Sequence, residues 1–229
     1  PEEKGLYWNI YHVKNSTGLA SITNKPAILV IGDNPPNNDV YDIVFRVLPR
    51  IGFGYDKAWT VNGSRNIDDY SLKELTQFEA VILHGYRYKN SNNAWQRLQE
   101  YVQGGGKLLI NTGWKYYAQD WGRDSKKEKG KYIEYEMPSI FPVQKTIWTS
   151  FGKTWPILSS DLSQDDLDNW AELTWEGNDW SMAVAKKEWL KPDARAILTA
   201  DDKILMAEQT IGKGKILWTG FDFFGHLLD

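Results

Sequence analysis

Unbroken apolar runs punctuate the first half of the chain. Ala27-Ile28-Leu29-Val30-Ile31 is one, and Ala80-Val81-Ile82-Leu83 and Leu108-Leu109-Ile110 are two more. A strand apolar at every position is covered on both faces, as in a parallel sheet. Tyr55–Val61 reads as a further strand. Between these runs the period changes. Val40, Ile43, Val44 and Val47 recur at helical spacing behind Asp39, a suitable cap, and Gly52 and Gly54 stop that helix. Ser71–Leu75 starts a short helix. Asn93–Val102 places Trp95, Leu98, Tyr101 and Val102 on one side, so it forms an amphipathic helix that Gly104-Gly105-Gly106 ends. The alternation predicts strands at 27–31, 55–61, 79–84 and 107–111 lying side by side, joined by right-handed crossovers.

From residue 114 to 180 this rhythm breaks. The span is rich in Trp, Tyr, Asp and Lys, with a strand readable at Thr146–Ser150 and a short helix at Gln164–Ala171 behind Ser163. Strands return at Trp180–Ala185, Arg195–Thr199, Ile204–Gln209 and Lys215–Thr219. The last two flank Thr210-Ile211-Gly212-Lys213-Gly214, the signal of an antiparallel hairpin. Residues 221–228 read as a terminal helical segment, and 5–13 as an edge strand.

Composition narrows the chemistry. The chain has 229 residues, 41% of them hydrophobic, which is enough to bury a core without covalent staples. Its formal charge of −3 exerts no pull on nucleic acid or anionic membrane, and the lysines at 126, 127, 129 and 131 are diluted by Asp124, Glu128, Glu134 and Glu136. With no Cys, a thiolate nucleophile, a disulfide framework and thiolate metal sites are excluded. Three dispersed His lack ligand spacing, so no metal is expected. Gly104-Gly105-Gly106 precedes a strand instead of following one, so no nucleotide cofactor is expected. No apolar run approaches the length of a membrane span. The chain opens on Pro1 and not Met, and we read it as a processed or excised piece whose missing context holds any targeting signal.

In an open parallel sheet, ligands bind beyond the carboxyl ends of the strands. That rim comprises Asp33 and Asn34, then His84, Tyr86, Arg87 and Tyr88, then Asn111 to Tyr117, and finally Asp222. Thr112 is the one hydroxyl at the exit of the fourth strand. It lacks the Gly-x-Ser-x-Gly setting and an evident base, so a structural role is read for it. His84 ends a buried strand before a glycine, where it serves either a ligand or the core. Residues 113–123 mix rings with Asp, Gln and Arg, forming either a stacking surface or a loop anchored by its Trp residues. The ligand set read from this rim is Asp33, Tyr86, Trp114, Tyr116, Tyr117, Trp121 and Asp222, with no catalytic residue assigned. Convergence of Asp33, Asp120, Asp124 or Asp222 would instead suit a glycosidase, which needs two carboxylates straddling one bond.

Several of these stretches together carry a resemblance. Pro26–Ile31, the glycine-terminated Phe78–Gly85, Tyr101–Leu109 ahead of the elbow, and the returning Glu208–Gly220 resemble the class I glutamine amidotransferase-like superfamily. They are similar in particular to its branches without amidotransferase activity, such as the trehalose-utilisation-type proteins and the middle domain of some β-galactosidases. The resemblance covers about residues 26–113 and 181–225. It implies an α/β, flavodoxin-like three-layer sandwich with a mostly parallel sheet, late antiparallel strands and an aromatic-rich insertion. Residues 1–25 would form an N-terminal extension, and 26–229 a single domain with the irregular insertion at about 114–180. Active members carry a Cys at the elbow and a His with an acidic partner after the late strands. Here the elbow is Asn111-Thr112-Gly113 and the late turn is Thr219-Gly220-Phe221-Asp222, so amidotransferase activity is not expected.

Two functions from different classes follow. The first is a non-catalytic domain of a larger protein, binding a carbohydrate or docking a neighbouring domain, in an extracytoplasmic, membrane-associated setting. The second is a carbohydrate-active hydrolase that uses the rim carboxylates.

Overall fold

Each unbroken apolar run becomes a strand of one sheet. The computed structural model describes residues 27–32, 59–112, 134–151, 180–200 and 202–221. In it β1 (Ala27–Gly32) lies between β2 (Trp59–Asn62) and β3 (Ala80–His84), with β4 (Lys107–Asn111) beyond β3, and all four are parallel. The four strands predicted side by side are therefore neighbours. Residues 55–58 lie outside the described residues, as do the strand predicted at 5–13 and the helices at 39–48 and 164–171; of the terminal helical segment only Phe221 is described.

The later strands are β5 (Glu134–Glu136), β6 (Lys145–Phe151), β7 (Trp180–Lys186), β8 (Ala194–Ala200), β9 (Lys203–Ile211) and β10 (Gly214–Thr219). β10 runs parallel to β4, and β9 turns back antiparallel against it through the predicted hairpin. The sheet order is β2-β1-β3-β4-β10-β9-β7-β6-β5, with β8 paired to β9, so this is a mixed α/β sheet. β5 and β6 fall inside the span 114–180 that reads as irregular. β5 is only three residues long and carries Glu134 and Glu136 against Lys145 at 3.5 and 3.0 Å, so it is a charge-paired strand with no apolar pattern to reveal it.

Two helices close one face. α1 (Leu72–Leu75) starts at a capping box, in which the Ser71 hydroxyl accepts the Glu74 amide at 3.3 Å and Glu74 accepts the Ser71 amide at 2.7 Å. α2 (Ser91–Gln103) is capped by the Asn90 side chain, which accepts the Asn93 amide at 3.0 Å. Its Ala94, Trp95, Leu98, Tyr101 and Val102 are buried, matching the sequence pattern. They join a core with Leu29, Ile31, Val81, Leu83, Leu108, Ile110, Ile216 and Trp218. Each large aliphatic group buried there contributes about 1.5–3 kcal/mol over its exposed state. Ile28, Val30 and Ile82 alternate to the opposite face and are also buried, which is why β1 and β3 show no polar alternation.

The turn from α2 into β4 depends on a missing side chain. A Cβ at Gly106 would fall inside the Tyr101 ring, whose hydroxyl donates to the Phe78 carbonyl at 3.0 Å. Tyr101 thus clamps the last turn of α2 over the start of β4 and the approach to β3. Among the described residues no helix is long and apolar enough to cross a membrane.

Candidate functional site

Three of the parallel strands end the same way: an apolar run closes on one polar residue. The residues are His84 after Val81-Ile82-Leu83, Asn111 after Leu108-Leu109-Ile110, and Thr219 after Ile216-Leu217-Trp218. The sheet register aligns all three. Gly32 pairs with His84, His84 with Asn111, Asn111 with Thr219, and Thr219 with Met206. One transverse row therefore crosses five strands, at the carboxyl ends of β1, β3, β4 and β10 and within the antiparallel β9, on the face opposite α2. Two residues earlier on the same face, Val30, Ile82, Leu109 and Leu217 are aliphatic across β1, β3, β4 and β10. The sheet changes from hydrocarbon to polar within one side-chain repeat.

The row is enclosed: His84 and Asn111 are each 2% exposed and Thr219 is fully buried. Buried polar groups of this kind require partners. The Asn111 side-chain amide nitrogen lies 2.6 Å from His84 Nδ1. This contact joins the imidazole to the amide across β3 and β4. The Thr219 hydroxyl donates to the Phe221 carbonyl at 3.0 Å. Gly85, with φ of 66°, supplies the left-handed turn by which the chain leaves β3 directly after His84.

The elbow after β4 is built as a joint. Thr112 is buried, and its amide and hydroxyl both donate to the Thr219 carbonyl, at 3.0 and 2.7 Å. The same hydroxyl accepts from Trp218 Nε1 at 3.0 Å. Its proton and a lone pair are both engaged in holding β4 to β10. A nucleophile needs that proton directed at a base; here it points at a backbone carbonyl.

β1 stops at Gly32, and the chain segments after β2 and β3 meet across its end. The Gly32 amide donates to the Ser64 carbonyl at 3.3 Å, Ile67 to Arg87 at 2.8 Å, and Arg87 to Arg65 at 2.7 Å. Side chains fasten this bridge. Asp68 accepts the backbone amides of Lys89 and Asn90 at 2.9 and 2.7 Å, just ahead of α2. Asp69 accepts from the Ser64 hydroxyl at 2.9 Å, the Asn66 amide at 3.1 Å and the Lys89 ammonium at 2.5 Å. Arg97, reaching from α2, donates to the carbonyls of Asp68 and Tyr70 at 3.0 and 2.8 Å. Burial alone would raise the Asp69 pKa, but the bonds from Lys89, Asn66 and Ser64 outweigh it and hold the carboxyl below its ordinary value. The bridge thus ties the segment after β2 to the segment after β3 beside the end of β1.

Of the residues read as a ligand set, Tyr86 alone is described. It is 1% exposed and meets Trp95 of α2 edge to face, with ring centroids 5.5 Å apart. Phe141, from the loop between β5 and β6, meets the same Trp95 at 5.4 Å, and Tyr88 at 6.3 Å. Tyr86 thus belongs to an aromatic cluster seated beside the bridge. Asp33, Trp114, Tyr116, Tyr117, Trp121 and Asp222 lie outside the described residues, as do Asp120 and Asp124. Sequence reasoning named His84 and Asn111 as rim residues but left them out of the ligand set, and it did not single out Thr219. Their shared signal, a polar residue closing each apolar run, is readable only once the three strands are known to be in register.

A family model described as a domain of unknown function (DUF8560) matches residues 55–123, the stretch that contains the bridge, His84, Asn111 and Thr112. No curated protein matches the chain in sequence. Among solved structures the chain is similar to a cytoplasmic protein of Salmonella typhimurium LT2, at 13% identity and a TM-score of 0.51, covering 86% of this chain and 88% of that one. A putative ThuA-like protein from Parabacteroides merdae aligns at 12% identity and a TM-score of 0.46, over 89% of this chain and 87% of that one. A β-galactosidase from Bacillus circulans sp. alkalophilus aligns at 10% identity and 0.44, over 89% of this chain and 30% of that one. At such identities the Salmonella likeness speaks for the α/β fold and nothing further.

Proposed function

We propose that this chain is a non-catalytic ligand-binding or assembly domain of a larger protein, and that its ligand is met at the carboxyl end of β3, β4 and β10. The transverse row of Gly32, His84, Asn111 and Thr219 is the observation that carries this reading. Aliphatic side chains would pack that row at lower desolvation cost, and the neighbouring elbow hydroxyl is engaged on both sides. A sheet of this topology offers its ligand crevice at the strand ends.

In this proposal the rings of Trp114, Tyr116, Tyr117 and Trp121 extend the row outward. Asp33 and Asp222 supply direction, and a carbohydrate or a neighbouring domain of the parent protein is the partner. The fold would be the three-layer member of the glutamine amidotransferase-like group, spanning 26–229 behind an extension at 1–25. The aromatic-rich insertion at about 114–180 would be the ligand-facing elaboration, and the setting extracytoplasmic.

Intrinsic fluorescence during titration with neutral sugars and short peptides tests this, with Trp114→Ala and Trp121→Ala compared for folding by circular dichroism. Loss of the ligand response in variants that stay folded is the expected result. If both variants unfold and no probe perturbs the native protein, these rings are core and the reading fails.

A further inference from the structure

The chain holds one Asn-Gly dipeptide, Asn62-Gly63, and it stands where β2 ends beside β1. We propose that Asn62 is a latent deamidation site, kept closed by the β1–β2 pairing and opened when β2 leaves the sheet. The modified chain is then unable to fold again. This inference is independent of the ligand-binding reading above.

The reaction needs only water. The backbone nitrogen of Gly63 gives its proton to a solvent base and attacks Cγ of Asn62. A carbon–nitrogen bond forms, and the side-chain nitrogen takes up a proton and leaves as ammonia, so that a succinimide ring remains. Water then opens the ring at either carbonyl, giving aspartate or isoaspartate. Glycine at the second position favours closure, because it has no Cβ to crowd the ring and its backbone turns freely.

The fold demands that glycine and also restrains it. A Cβ at Gly63 would strike the Tyr70 hydroxyl and would stand 2.9 Å from both Leu29 Cδ1 and the Val30 carbonyl oxygen, so a larger residue would have to displace backbone. The nitrogen that would attack is committed, since the Gly63 amide donates to the Val30 carbonyl at 2.7 Å. Next along the chain, the Ser64 amide donates to the Tyr70 hydroxyl at 2.7 Å, and the Ser64 carbonyl accepts the Gly32 amide at 3.3 Å. The Asn62 backbone itself is in strand register with Val30. Ring closure turns that backbone so that Cγ meets the Gly63 nitrogen, and these bonds must break first. Because closure is slow, its rate in the native protein is the rate of the open chain multiplied by the fraction open.

The isoaspartate product does not fit the same place. It routes the main chain through the former side chain and inserts an extra methylene ahead of Gly63. Gly63 and Ser64 are then displaced from the Val30 carbonyl and the Tyr70 hydroxyl, in a turn with no room for a Cβ. Opening of β2 thereby becomes a one-way exit from the fold.

Peptide mapping by mass spectrometry of the full chain, held in mildly alkaline buffer across a urea series, measures conversion at Asn62. A synthetic peptide of residues 59–66 in the same buffers corrects for the effect of urea itself. Relative to the peptide, conversion in the native protein should be slower by about tenfold or more, and it should rise in step with the unfolded fraction read by circular dichroism. After dilution from urea, chains bearing isoaspartate, detected by enzymatic methylation of that residue, should collect in the fraction that fails to refold. A native rate within about twofold of the peptide, or one that stays flat through the unfolding transition, overturns the closed site. Isoaspartate chains recovered among the refolded molecules overturn the one-way exit.

Discussion

Replacing Thr112 by Val tests whether the elbow hydroxyl is a joint or a reactive group. The two side chains have nearly the same shape, so the change removes hydrogen bonds and leaves little cavity. Trp218 Nε1, now 3.0 Å from the hydroxyl within a fully buried residue, would lose its acceptor. A stranded buried donor costs about 1–3 kcal/mol. The Thr219 carbonyl would keep the Thr112 amide at 3.0 Å and lose only the hydroxyl bond, about 0.5–1.5 kcal/mol. The added methyl offsets about 0.8 kcal/mol. The expected loss is about 1–4 kcal/mol, which at a urea dependence of about 1–3 kcal/mol per molar moves the midpoint by about 1 M. Urea unfolding followed by far-ultraviolet circular dichroism measures it, provided the slope is unchanged. A cycle with Trp218→Phe isolates the pair, and a coupling of about 1 kcal/mol or more is expected. Stability within about 0.5 kcal/mol of wild type, inside the scatter of neutral surface changes, would mean the hydroxyl is not committed to the joint. The case against a nucleophile at the elbow would then be lost.

Asp69→Asn should destabilise the bridge by about 1 kcal/mol at neutral pH, the scale of a partly exposed ion pair with added hydrogen bonds. Since the folded state holds the Asp69 pKa below its unfolded value, the wild-type advantage is present above that unfolded value, near pH 4. It is lost as the pH falls through the folded value. Thermal midpoints of the two proteins should converge in acid, and a constant gap down to pH 3 would contradict the assignment. Gly106→Ala drives a Cβ into the Tyr101 ring and should cost about 1–3 kcal/mol. An unchanged thermal midpoint would show that Tyr101 does not close over that turn.

The strands and helices were legible because their signals are local. Unbroken apolar runs marked β1, β3 and β4, a 3.6-residue period marked α2, and a glycine turn marked the β9–β10 hairpin. Burial and backbone geometry impose those patterns on each segment separately. β5 escaped because three residues that begin and end on glutamate carry no period, and Tyr86 read as a rim residue because position along a strand says nothing of which neighbours surround its exit. Both were decided by other parts of the chain, the one by Lys145 on β6, the other by Trp95 on α2. The polar row belongs to the same class. His84, Asn111 and Thr219 stand 27 and 108 positions apart (111 − 84 and 219 − 111), and nothing in one strand fixes its register against another. The inter-strand hydrogen bonds of β3, β4 and β10 alone bring the three into line, so the sequence determined the strands and their polar ends while the sheet made a row of them.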